Sequence, residues 1–270
     1  MTHSPTPAET YEDFMVPFRF RPWAETLVAY LDPPSGTRLL DVACGTGIVA
    51  RTAATRLGNN GTVTGIDMNP AMIEVARSTA AREGLDIEWS VGMAGELPFP
   101  DASFDIVTIQ QALQFFPDQP AALRECLRVL TPGGLLAVEV WSALEKQGIQ
   151  RPYTEAIEHV TGSPSMHAAY GTTTAQELGA LITGAGFADV SVEEVTIEVS
   201  YHDPDSYAER MVQGTSAGVP AMHGRSDEER AALAQAVAAE MADAIRASTV
   251  DGRLVTESTT FIATGRKPAS

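Results

Sequence analysis

Positive charge is scarce in this chain. Its 270 residues hold 18 Lys and Arg against 35 Asp and Glu, a formal charge of -17 at pH 7, and no basic cluster offsets that balance locally. A chain of that sign repels a phosphate backbone, which excludes DNA and RNA and leaves a small molecule as the expected substrate. Cysteine is scarce too. Cys44 and Cys126 are the only two, too few for a disulfide scaffold, so free thiols in a reducing compartment are expected. No apolar run approaches the length of a membrane span, and the opening MTHSPTPAET has neither a basic start nor an apolar stretch. The expectation is a cytoplasmic protein with no membrane partner. No His, Cys and acid cluster has ligand spacing, so no metal is expected, and no repeat, low-complexity segment or interdomain linker interrupts an ordinary globular composition.

What is present is organised around residues 39–50, LLDVACGTGIVA. Leu39, Leu40 and Val42 read as a buried strand with Asp41 near its end. Gly45 and Gly47 read as a tight turn, and Ile48-Val49-Ala50 as the start of a helix. Glycine in such a loop takes dihedrals that a Cβ forbids and lets a ligand approach the amides at the helix N-terminus. Gly45-x-Gly47-x-x-Ala50 also fits the dinucleotide fingerprint. Two acids narrow it: Asp41 inside the strand, and Asp67 at the end of the next apolar run.

Asp41-Val42-Ala43-Cys44-Gly45-Thr46-Gly47 has the form acid-x-Gly/Ala-x-Gly-x-Gly. With GIDMNPAMIEVAR, LPFPDASFDIV and RVLTPGG following in order, the chain resembles the class I S-adenosylmethionine-dependent methyltransferases, of the type 11 and ubiquinone/menaquinone kind. The resemblance implies S-adenosylmethionine as cofactor and S-adenosylhomocysteine as product. It places Tyr11, Ala43, Gly45, Asp67, Met68, Met93, Ala94 and Gln110 at the cofactor. In that scheme Asp67 accepts hydrogen bonds from the ribose hydroxyls, Met68 lies against the adenine, and the Ala94 amide reaches an adenine ring nitrogen. Tyr11 and Gln110 stand near the methionine end. Similar enzymes usually carry Asp where this chain has Met93, and that acid accepts from the adenine amino group. The departure keeps a second reading open, in which the cofactor is structural and the covering insertions catalyse a cyclisation or rearrangement.

Other residues carry weaker signals. Gln111 and Gln114, polar amides among Leu and Phe just past a strand, are candidates for a pocket wall. His167 and Tyr170 are candidate bases in an insertion that also holds His159 and Met166, while His202 and His223 read as solvated. Leu123, Cys126, Leu127 and Leu130 form a core stripe. Leu233, Val237, Met241 and Ile245 form another, suited to internal packing or to a homodimer face. Asn69-Pro70, Thr174 with Glu177, and Ser226 with Glu229 read as helix starts.

Alternating strands and helices predict a single α/β domain, Rossmann-like and doubly wound, with a mostly parallel seven-stranded sheet. Residues 1–34 form an N-terminal lid and 35–141 the cofactor-binding core. Helical cap insertions occupy 142–172 and 201–250, and the last strands occupy 190–199 and 259–264. The expected activity is methyl transfer to an oxygen, nitrogen or carbon of a small-molecule acceptor, with no residue singled out as catalytic.

Overall fold

The apolar run at Leu39 becomes the middle of a sheet. The computed structural model describes residues 6–163, 170, 173–215 and 224–269. In chain order, α1 (Pro7–Thr10), a π-helical stretch (Tyr11–Phe20) and α2 (Arg21–Leu31) lead into β1 (Arg38–Val42), α3 (Ile48–Leu57), β2 (Thr62–Asp67) and α4 (Pro70–Glu83). Then come β3 (Glu88–Val91), β4 (Phe104–Gln110), α5 (Gln119–Val129), β5 (Leu130–Trp141), α6 (Gln150–Thr161) and α7 (Ala175–Gly184). After these follow β6 (Ala188–Tyr201), α8 (Tyr207–Thr215), α9 (Asp227–Ala247), β7 (Thr249–Val250) and β8 (Arg253–Arg266).

The strand order is β3-β2-β1-β4-β5-β8-β6, with the short β7 paired to β8. The seven expected strands are present, and β7 is an eighth. β1 pairs in parallel with both β2 and β4, and β2 with β3 and β4 with β5 are parallel as well. The order reverses at β1, so the carboxyl ends of β1, β2 and β4 open on one edge, where ligands of open α/β sheets bind.

Local chemistry accounts for the boundaries. α2 stops at Asp32, which takes a left-handed conformation ahead of Pro33-Pro34. Asn69 caps α4, its Oδ1 accepting from the Ala71 amide at 3.0 Å with Pro70 in the first turn. Both expected capping boxes form, at Thr174 with Glu177 and Ser226 with Glu229. β5 begins at Leu130, ahead of the apolar run Leu135–Val138. Gly133 donates to the Lys267 carbonyl and Lys267 to the Gly134 carbonyl, both at 2.9 Å, and these bonds extend the strand back through the Thr131–Gly134 turn.

The chain divides into two units, each discontinuous in sequence. One comprises Phe20–Val140, Thr173–Val195 and Thr260–Ser270. Its core joins Leu40 and Val42, Val107 and Ile109, Leu136 and Val138 to Leu123 and Cys126 of α5 and to Leu178 and Ile182 of α7. Cys126 is a packed small hydrophobe, and both cysteines are free and buried.

The other unit comprises Met1–Arg19, Trp141–Thr172 and Thr196–Thr259. Residues 1–19 of the N-terminal segment and both insertions thus fall together, while residues 20–34 belong to the first unit. Here α9 packs against α6 and α8, and Leu233, Val237 and Met241 are buried. The α9 stripe is internal packing. Met166, His167 and His223 lie outside the described residues.

Candidate functional site

β1 ends in a loop with three left-handed residues, Ala43 (φ 56°), Gly45 (φ 55°) and Gly47 (φ 84°). Gly47 donates to the Cys44 carbonyl at 2.8 Å and accepts from the Arg51 amide at 2.9 Å, closing the turn and opening α3. β2 brings Asp67 back against this loop. One carboxylate oxygen accepts from the Gly45 amide at 2.9 Å and the other from the Asn69 amide at 2.8 Å. The glycine loop and the second acid, linked by sequence pattern alone, are therefore in direct contact.

Asp41 is buried. Its carboxyl accepts from the Thr108 hydroxyl at 2.9 Å and the Ala50 amide at 3.2 Å, joining β1, β4 and the first turn of α3. Burial pushes this carboxyl up to about 7, against the pull of those two bonds and with a smaller push from Asp67. Asp41 holds the loop in place rather than facing a ligand.

The glycines have a second reason to be glycines. A Cβ on Gly47 would lie 2.3 Å from the Trp89 ring, and one on Gly65 2.4 Å from it. Gly65 and Trp89 are register partners across β2 and β3.

Beside the loop lies a cavity of about 170 Å³ lined by Ala43, Ile66, Met68, Gly92, Met93, Ala94, Gly95, Phe116, Pro117, Asp118 and Ala122. Four residues that the resemblance assigned to the cofactor, Ala43, Met68, Met93 and Ala94, thus line one small, mainly apolar space. Met68 and Met93 are exposed at its rim. Asp118 also caps α5, accepting from the Ala121 amide at 2.8 Å. Asp118 reaches this wall from the segment after β4, a different strand end from those that carry Ala43 and Met68.

At the end of β4, Gln110 donates to one oxygen of Glu139 at 2.8 Å, and the Thr260 hydroxyl donates to the other at 3.3 Å. Glu139 is fully buried in β5, and burial pushes it up to about 8 against both bonds. In the sequence the signal for this acid is its place between Val138 and Val140 in an apolar run. Gln111 is left-handed (φ 52°) and 6% exposed, and neither of its side-chain polar atoms has a hydrogen-bond partner among the described residues. Gln114 donates to the Gln111 carbonyl at 3.1 Å, a local backbone bond, while its own side-chain oxygen is buried with no partner among the described residues.

The remaining candidates fall in the other unit. Tyr11 is half-buried at the start of the π-helical stretch. Tyr170 is buried, its hydroxyl accepting from Arg19 and donating to Gln150 at 3.3 Å. His159 is exposed with Nδ1 2.6 Å from Glu240.

Residues 40–138 match the methyltransferase domain family. Nocamycin O-methyltransferase of Saccharothrix syringae is 40% identical over 120 residues, 44% of this chain and 43% of that protein. Ubiquinone/menaquinone biosynthesis C-methyltransferase of Dinoroseobacter shibae is 39% identical over 135 residues, 49% of this chain and 54% of that protein. The chain spans about half the length of these curated relatives. Among solved structures, the [4+2]-cyclase SpnF is similar with a TM-score of 0.59 and 25% identity, over 93% of this chain and 81% of that one. The family match, residues 40–138, takes in the glycine loop, the tethered acid and the cavity beside them.

Proposed function

We propose that this protein binds S-adenosylmethionine at the carboxyl edge of β1, β2 and β4 and transfers its methyl group to a small-molecule acceptor. The observation that carries the reading is Asp67, tethered to the Gly45 and Asn69 amides beside the cavity that holds Ala43, Met68, Met93 and Ala94. Those two bonds leave the carboxylate lone pairs for the ribose hydroxyls. A small apolar cavity suits a flat heteroaromatic base, with the Ala94 amide as a donor to a ring nitrogen. Gln110, its amide nitrogen fixed on Glu139, keeps its carbonyl oxygen for the methionine end.

When bound, the cofactor supplies a methyl group already activated by its sulfonium. The chain's own residues have to align the acceptor and exclude water, and a base is needed only for an acceptor that must lose a proton. The test is isothermal titration with S-adenosylmethionine, followed by assay of S-adenosylhomocysteine with a panel of phenols, amines and enolisable ketones. Asp67→Ala weakens cofactor binding at least about tenfold, the worth of a charge-assisted hydrogen bond in a dry site. Unchanged affinity would refute the ribose assignment, and preference for NAD would end the reading.

Met93 in place of the usual acid, and the likeness to a cyclase, favour a second reading in which the bound cofactor is structural and the chain catalyses a cyclisation or rearrangement. Product formed without S-adenosylhomocysteine would establish it.

A further inference from the structure

Arg19 is a cation buried in the N-terminal segment. Only 7% of it is exposed, yet its hydrogen-bond partners are neutral. Its two terminal nitrogens donate to the Gln150 side-chain oxygen and to the Tyr170 hydroxyl. The guanidinium carbon stands 4.5 Å from the centroid of the Trp141 ring and 5.6 Å from that of Tyr170. Tyr170, Tyr201 and Tyr207 are the groups that act electrostatically on it, and no carboxylate among the described residues is one of them. Burial pushes the Tyr201 hydroxyl up to about 12 and that of Tyr207 well above its usual range, so both are neutral at physiological pH. The segments 164–169, 171–172 and 216–223 contain no Asp or Glu.

A guanidinium withdrawn from water without an anion loses hydration that neutral acceptors replace only in part. A leucine or methionine would fill the same space at lower cost. The surroundings are nevertheless fixed around the charge. Gln150 donates from its nitrogen to the Tyr207 hydroxyl at 2.7 Å, which sets the flip of the amide so that its oxygen faces Arg19. Tyr207 in turn packs edge-on against Tyr201, with centroids 4.8 Å apart. The described residues accept from two of the five guanidinium N–H groups, which leaves a partly free, oriented fork. A planar fork of that kind matches a carboxylate.

We propose that Arg19, held by Trp141, Gln150 and Tyr170 and backed by Tyr201 and Tyr207, forms a binding site for the carboxylate of a small molecule. The experiment is isothermal titration of the full-length protein with benzoate, phenylacetate and 4-hydroxybenzoate, each beside its primary amide. At least one carboxylate binds about tenfold or more tightly than its amide, the worth of a charge-assisted pair. Arg19→Met brings the two to equal affinity, Arg19→Lys keeps part of the preference, and S-adenosylmethionine binding is unchanged in both. Failure of every carboxylate to outbind its amide overturns the proposal, as does a preference that survives in Arg19→Met. Should Arg19→Met fail to fold, the wild-type comparison still decides, and Tyr170→Phe, which removes one bond to the guanidinium, must lower the preference. Carboxylate binding without cofactor binding would sink the transfer reaction and leave the anion site standing.

Discussion

At the scale of single residues, the clearest case is Gly47. Its pattern position pointed to close approach by a ligand, and its φ of 84° does require glycine, but the nearest obstacle to a side chain is Trp89. Gly47→Ala therefore combines left-handed strain with a clash against an indole ring and destabilises the protein by about 2 kcal/mol or more. In a Trp89→Leu background the same substitution costs less. A double-mutant cycle on thermal or urea melts measures the difference, and strict additivity would show that Trp89 is not the obstacle. The sequence named both glycines correctly because backbone conformation is a local property. It did not name Trp89, because that contact depends on the pairing of β2 with β3. Gln111 was legible as an unusual amide in an apolar stretch, whereas its missing partners become visible only with the surrounding wall in place.

At the scale of elements, caps and turns were legible and long-range pairing was not. Asn69, Thr174 and Ser226 start helices through bonds to residues two or three positions away, so the signal and its cause share a window. β5 reaches back to Leu130 through bonds to Lys267, at the far end of the chain. Glu139 shows what such burial does to a strand. It is raised to about 8 in the folded protein, and Asp41 in β1 to about 7. The native state thus holds protons that the unfolded chain releases near pH 4. The resulting contribution to stability is complete below that pH and is lost as pH rises through 7 to 8. Glu139→Gln keeps a neutral group beside Gln110 and Thr260 and removes its share of the loss. Compared with wild type, the variant gains melting temperature progressively between pH 5 and pH 8.5. Parallel curves over that range would mean that Glu139 carries its charge without penalty.

At the scale of the whole molecule, the resemblance is legible over roughly residues 11–140, and the match to the methyltransferase domain family covers 40–138, inside one of the two units. The other unit gathers segments from three parts of the chain, and no ordered motif in the sequence announced that grouping. Net charge, by contrast, is a property of the full sequence and yields a prediction of its own. S-adenosylmethionine carries a sulfonium and an ammonium against one carboxylate, and S-adenosylhomocysteine lacks the sulfonium charge, so the two differ by one positive charge at nearly constant shape. A chain of charge -17, with Asp67 at the loop and Asp118 in the cavity wall, attracts the first more than the second. Salt screens that difference, since the Debye length falls from about 10 Å at 0.1 M to about 3 Å at 1 M. Raising sodium chloride from about 0.05 M to about 0.5 M therefore weakens S-adenosylmethionine binding a few-fold and S-adenosylhomocysteine binding much less. Titration calorimetry at matched pH reads both. Equal salt slopes would show that the acidic surface plays no part in favouring cofactor over product, and that release of the spent cofactor is governed by contacts at the sulfur alone.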